Sequence, residues 1–336
     1  LIENPRSALA HVHFDDALGV APDGGSSWNT IWTSDNGTLA YMPGPFFSKR
    51  ELVWSDRSGK LESLGLPPHR LERAALSPDG RRVVVSRLEA GTYELWMDDV
   101  ARKTEDRLEI KGSNFAPIWS PAGDAIAFIS ERKGEYDAYT AQADGTDVKP
   151  LLTKDVDEAP MAWTHDGRWL IEKEWHPDGT VPLIAIDTGA GNTPRVLTSN
   201  MGANARVRLS PDDHWLLSSY WSSGRSEVYV QAFSSGTPVV RVSSNGGSEP
   251  IWSPTGNEIF FRHDKDLVSV SFRQEGGRSI IGSETPLFRL GSSEVYSITP
   301  DGRRFLIGRV AEPEPPPGIR VVLNWFEELR ARGLGK

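Results

Sequence analysis

The sequence predicts an all-β fold, a seven-bladed β-propeller built from four-stranded antiparallel blades. The first observation behind this is a turn motif that recurs seven times: Ser34-Asp-Asn-Gly, Ser77-Pro-Asp-Gly, Ser120-Pro-Ala-Gly, Thr164-His-Asp-Gly, Ser210-Pro-Asp-Asp, Ser253-Pro-Thr-Gly and Thr299-Pro-Asp-Gly. Successive copies lie 43, 43, 44, 46, 43 and 46 residues apart, and a period in the forties made of short β units marks a propeller. The second is composition: 32 Gly and 24 Pro in 336 residues, with 38% hydrophobic residues, suit short strands cut by turns and not a helical solenoid. Six or eight blades are the alternatives. The repeats use nearly the whole chain, so one domain over 1–336 is expected, with 1–27 as a closing segment, 28–323 as blades and 324–336 as a tail.

The third unit shows the four strands of a blade: Asn114–Ser120, Ala125–Ile129, Tyr136–Thr140 and Val148–Thr153, each short and rich in β-branched or aromatic residues. The recurring motif joins the first strand to the second. Proline presets the backbone at the second turn position, Asp suits the third, and Gly closes the turn without strain. Seven copies are explained by seven turns, so their Ser and Asp residues are read as structural. Trp119, Trp163 and Trp252 stand immediately before the turn, where Leu76, Leu209 and Ile298 stand in other units. Apolar residues at that position are expected to fill the space between neighbouring blades.

Second strands follow at Leu39–Met42, Val83–Val85, Trp169–Ile171, Trp215–Leu217, Ile259–Phe261 and Phe305–Ile307. Third strands are expected at Leu52–Trp54, Glu94–Met97, Leu183–Ile186, Val228–Val230, Leu267–Val270 and Ile319–Leu323. The last unit then lacks a fourth strand. An open edge would expose unpaired backbone groups, so Ala8–Phe14 is expected to complete the last blade and clasp the ring. Glu312–Gly318, with four prolines, reads as a stiff extended spacer.

With the units aligned, the chain resembles the TolB-like, WD-repeat-like β-propellers over roughly residues 30 to 326, through the aromatic-Ser-Pro-Asp-Gly-apolar repeat. Val53–Lys60, Asn114–Pro121, Glu227–Phe233, Gly246–Ser253 and Val321–Leu329 are similar to the C-terminal propellers of bacterial multidomain serine/threonine kinases. That resemblance implies a sensor domain outside the cytoplasm, belonging to a membrane-anchored protein. Kinase residues are absent from this sequence: there is no Gly-rich phosphate loop, His-Arg-Asp or Asp-Phe-Gly. The turn departs from the family pattern at Ala122 and Asp213.

The formal charge of −9 gives no broad basic field for nucleic acid. No cysteine is present, which removes disulfides and thiolate metal sites. No apolar run is long enough to span a bilayer, so no direct membrane insertion is expected within this segment. No nucleophile elbow or His-Glu-x-x-His occurs. His11-x-His13 with Asp15 and Asp16 has the spacing of a metal site, but a polar edge strand is the preferred reading. No cofactor or resident metal is expected.

The first strands should line the channel, and the repeated turns should close one end. The opposite mouth would then be built from the segments entering strand one and from the loops joining strands two and three, where function concentrates on a rigid scaffold. The candidate ligand-binding residues are Arg73, Phe115, Glu158, Arg206 and Glu249 from the entering segments, with Trp175 and Trp221 from the loops. Aromatics among charges suit a peptide, a partner protein or a small polar ligand. The expected role is a non-enzymatic sensor or interaction propeller from a larger signalling protein. The alternative is a propeller hydrolase or lyase with a channel-bound metal.

Overall fold

The computed structural model describes residues 48–132, 136–152, 154–189, 194–202, 205–222, 224–234, 239–275 and 278–311, and the backbone of 31–33, 39–41 and 320–322. Contacts divide the chain into a central unit, Lys49–Ala311, and a terminal unit, Leu1–Ser48 with Glu312–Lys336. In the terminal unit β1 (Ile31–Thr33) pairs with β2 (Leu39–Tyr41). The central unit opens with β3 (Arg50–Asp56) and β4 (Leu61–Ser63). Blade I is β5 (Leu71–Leu76), β6 (Arg82–Glu89), β7 (Thr92–Asp99) and β8 (Thr104–Arg107); blade II is β9 (Ser113–Trp119), β10 (Ala125–Glu131), β11 (Tyr136–Gln142) and β12 (Lys149–Pro150). Blade III follows with β13 (Asp157–Trp163), β14 (Trp169–Trp175), β15 (Leu183–Asp187) and β16 (Pro194–Thr198), and blade IV with β17 (Arg206–Leu209), β18 (Trp215–Ser222), β19 (Arg225–Ala232) and β20 (Val239–Arg241).

Blade V holds β21 (Ser248–Trp252), β22 (Glu258–His263) and the ten-residue β23 (Asp266–Glu275), which pairs with both β24 (Arg278–Ile281) and β25 (Thr285–Arg289). Blade VI joins the two ends of the central unit: β26 (Glu294–Ile298) and β27 (Arg304–Val310) are completed by β3 and β4. All pairings within the blades are antiparallel, and the first strands touch one another in ring order, with β21 meeting β26 and β26 meeting β5.

The described residues therefore form six blades and not seven. Closure does join strands from opposite ends of the sequence, but by a different exchange from the one expected. β27 pairs with β3 over seven residues, from Arg304↔Asp56 to Val310↔Arg50. The third strand of the last unit, β28 (Arg320–Val322), lies beside β2 of the first unit instead. The physical reason is local. β3 offers β27 a full-length partner, whereas the intervening Glu312–Gly318 run has four prolines without the amide donors that a returning hairpin needs. Ala8–Phe14, expected as the closing strand, lies outside the described residues.

The turn motif explains why six copies form a ring. In the first of them Ser77 Oγ donates to Asp79 Oδ1 at 2.6 Å and accepts from Arg82 N at 2.9 Å, and Gly80 closes the turn at φ +72°. Each proline then seats against the glycine of the next blade's turn. A Cβ on Gly123, Gly167, Gly256 or Gly302 would lie 3.5, 3.8, 3.5 or 3.4 Å from Pro78, Pro121, Pro211 or Pro254 respectively. On Gly80 it would lie 3.1 Å from Pro300, so the sixth turn meets the first. The one interruption is compensated. Blade III has His165 in place of Pro and blade IV has Asp213 in place of Gly, and these two bond to each other, His165 N to Oδ2 at 2.7 Å and the ring Nδ1 to Oδ1 at 2.8 Å.

Between blades the apolar faces interlock. Trp119 and Trp252 are buried in the I–II and IV–V interfaces as the sequence predicts, and Trp119 Nε1 donates to Ala75 O of the neighbouring blade at 2.9 Å. Phe260 of blade V and Phe305 of blade VI are fully buried and meet edge to face at 5.0 Å. Burial of each such ring contributes about 2–3 kcal/mol, and the geometry of the pair adds about 1 kcal/mol.

Candidate functional site: the channel and its mouth

Six-fold closure sets which first strands face each other: blade I stands opposite IV, II opposite V, and III opposite VI. A run of charge lies on these strands. Glu72 on blade I accepts from Ser86 Oγ at 2.7 Å and from Ala116 N of blade II at 3.1 Å, and its other oxygen faces Arg73 Nε at 3.4 Å. Arg50 of β3 holds Glu294 at 3.1 Å, and Arg262 holds Glu249 at 3.3 Å. Burial raises the pKa of Glu294; the charges of Arg50 and Arg73 oppose this, and those of Glu249 and Glu72 add to it.

Tyr296 sits among these groups with its hydroxyl buried and unpartnered, and burial together with the neighbouring Glu294 raises its pKa well above that of a free phenol. Its ring rests on Gly308, where a Cβ would come within 2.5 Å, so only glycine fits there. Glu249 lies in the left-handed region at φ +53°, within a register shift between Ser248 and Ile251. Bulges of this kind re-aim side chains. On blade IV, Arg206 and Arg208 alternate with Val207 and Leu209, which are buried in the core, so both arginines point away from it.

The aromatic residues divide into two groups. Phe115 is buried, with Tyr93 at 5.3 Å and Tyr136 edge-on at 5.6 Å, and this cluster packs the mouth end of blades I to III. Trp175 is half-buried, with the Lys173 ammonium 4.6 Å from its ring. Trp221, at the tip of the β18–β19 hairpin, is 66% exposed.

Glu158 occupies a different environment. With Glu172 and Glu174 it forms a fully buried group whose ligating oxygens lie within 4.8 Å of one another. The group is on the face of blade III that packs against blade II, where Leu170 and Ile184 meet Ala127 and Ala138. The Lys154 ammonium lies among the three carboxylates, 2.9 Å from Glu172 and 3.3 Å from Glu158, and it also bonds Glu174. Burial, then the charge of Glu158, lifts Glu172 to about 8. Burial also pushes Glu174 up, but hydrogen bonds from Lys154 and His176 bring it below the usual value. Among the described residues no other three candidate metal ligands converge in this way; the His11-x-His13 pair lies outside those residues.

A scan against protein-family models finds no match. The Tol-Pal system protein TolB of Anaeromyxobacter dehalogenans (strain 2CP-C) is 27% identical over 114 residues, which cover 34% of this chain and 26% of that protein. The match thus spans about a quarter of the curated relative's length. A structure assigned as TolB from Agrobacterium tumefaciens superposes with a TM-score of 0.61 at 18% identity, covering 79% of this chain and 99% of that one. The chain has a TolB-like β-propeller fold. The same architecture is shared by an oligogalacturonate lyase of Vibrio parahaemolyticus, with a TM-score of 0.52 at 12% identity, covering 88% of this chain and 82% of that one.

In this TolB-like propeller Arg73, Arg206 and Glu249 belong to the first strands around the channel, Trp175 and Trp221 to the mouth end, Phe115 to a packed aromatic cluster and Glu158 to the interface between blades II and III. Arg50, Arg208, Tyr296 and the Glu172–Glu174 pair are additions that the sequence reading did not name. Two of these had a signal in the sequence: Arg208 stands two residues after Arg206 on the same strand face, and Glu172 puts a carboxylate where other second strands carry Val85, Phe128, Phe261 and Ile307.

Proposed function

We propose that this chain is a non-enzymatic binding propeller that docks a protein, a peptide or a small polar ligand at its channel mouth, as an extracytoplasmic part of a larger bacterial signalling protein. The observation that carries this is Trp221, a large aromatic left 66% exposed at the rim that Arg225, Glu227 and Trp175 share. A rigid exposed indole bordered by charge is the composition of an interaction hot spot. The TolB-like fold and the TolB relative support the reading.

The test is photo-cross-linking. A benzophenone side chain at position 221, exposed to bacterial envelope extract, is expected to give discrete adducts, and one at Asp212 on the exposed turn end is not. Equal labelling at both positions would place the interaction elsewhere. A second reading, a hydrolase or lyase using a bound metal, has one observation in its favour, the convergent Glu158, Glu172 and Glu174. The Lys154 ammonium already lies among those three carboxylates, and the group lies between blades. Metal analysis of the purified chain with a chelator control separates the two readings.

A further inference from the structure

We propose that the channel holds a small oxyanion, a carboxylate or a phosphate group, between Arg208 and Arg206 of blade IV and Arg73 of blade I. This rests on reading the channel mouth as the binding face and names the chemistry that face would take.

Arg208 is the key residue. It is half-buried on a channel-lining strand, and its Nη1 donates to the carbonyl of its own neighbour, Val207, at 3.1 Å. Among the described residues no carboxylate forms an ion pair with it. Other arginines of the central unit differ: Arg50 has Glu294, Arg262 has Glu249, and the fully buried Arg87 has both Asp98 and Glu105. The charges that act on Arg208 are those of Arg73 and Arg206, both positive, and burial together with their repulsion lowers its pKa to about 10.

A guanidinium carries five N–H donors and remains protonated at neutral pH, so Arg208 presents unused donors and an uncompensated charge in a partly desolvated setting. Keeping like charges close is unfavourable unless something negative joins them. Arg73, on the opposite blade, faces Glu72 at 3.4 Å and its charge also acts on Glu294, so the uncompensated charge is that of Arg208. Guanidinium groups on opposite blades match an oxyanion inserted along the channel axis, because arginine binds carboxylate and phosphate in a planar two-point geometry.

The test uses the full chain at constant ionic strength, with sodium chloride replaced stepwise by N-acetylglutamate in one arm and by inorganic phosphate in the other, read by thermal melting and by titration calorimetry. Wild type is expected to show a saturable rise in Tm with at least one probe, and the responding arm identifies the class of anion. Arg208→Gln is expected to bind that probe at least tenfold more weakly, Arg208→Lys is expected to be intermediate, and Arg102→Gln, an equal charge change on an exposed residue, is expected to match wild type. Without any probe Arg208→Gln should melt at or above wild type, because a repulsion has been removed.

The proposal is overturned if wild type and Arg208→Gln respond alike to both probes, or if Arg208→Gln melts well below wild type without a probe, which would make Arg208 a structural contact. Trp221→Ala should leave the anion response unchanged. An absent anion response with cross-linking at position 221 intact would remove this inference and leave the mouth reading standing; the reverse result would do the opposite.

Discussion

Glu172 shows how a single residue can work against the fold it belongs to. Its carboxyl is buried beside Glu158 and titrates at about 8, against an ordinary value of 4.5. Between those values the folded chain keeps a proton that the unfolded chain releases, so this group makes stability fall as pH rises from about 4.5 to 8. Asp98, raised to about 7 by burial and only partly offset by Arg87, acts in the same direction over a narrower window. Thermal melts of Glu172→Gln should match wild type near pH 5 and exceed it near pH 8.5. Parallel Tm curves across that range would contradict this reading. Lys154→Met removes the one cation that touches all three glutamates and should destabilise the protein at pH 8 by about 3 kcal/mol or more, since breaking a buried pair leaves charge uncompensated. Chemical denaturation measures it. The cluster was hard to see in the sequence because its members come from three places, a loop, a first strand and a second strand, and only the register of Glu158 against Glu174 brings them together.

At the scale of elements, the turn motif was fully legible, since Ser, Pro, Asp and Gly each have a local backbone reason for their position. Its second role was not legible. The proline of one turn packs on the glycine of the next, and only a closed ring creates that contact. Gly80→Ala tests the joint where the sixth turn meets the first. The substitution pays the cost of φ +72° and also drives a Cβ to 3.1 Å from Pro300. Gly179→Ala, at φ +82° with nothing within 4 Å, pays the backbone cost alone, about 1 kcal/mol. Denaturant unfolding should show the larger loss for Gly80→Ala; equal losses would mean that the turn ring adds nothing. His165 and Asp213 were visible as departures from the motif. That they compensate each other follows only from adjacent blades placing the two turns side by side.

For the whole molecule, the period correctly announced a propeller, but the count of repeats did not give the count of blades. Among the described residues seven motifs give six four-stranded blades, because the first unit gives its third and fourth strands, β3 and β4, to the last. A repeat sequence encodes each blade locally, whereas the partners at the closure are chosen by strand length and by which edges remain free. The repeat marked the first strands in advance, and Arg73, Arg206 and Glu249 lie on them. That Arg73 and Arg206 stand on opposite blades depends on six-fold closure, and the binding role proposed for the channel depends on it in turn. The pairing of β27 with β3 is therefore the feature to test. The chain has no cysteine, so Glu51→Cys with Arg309→Cys, register partners on the two strands, introduces a single possible intramolecular disulfide. Under mild oxidation this variant is expected to form that disulfide in the folded monomer, read by mass spectrometry of the proteolysed chain. Failure to form it in a folded monomer, with ready formation instead between cysteines placed in β27 and in 319–323, would show a seventh blade and contradict the account.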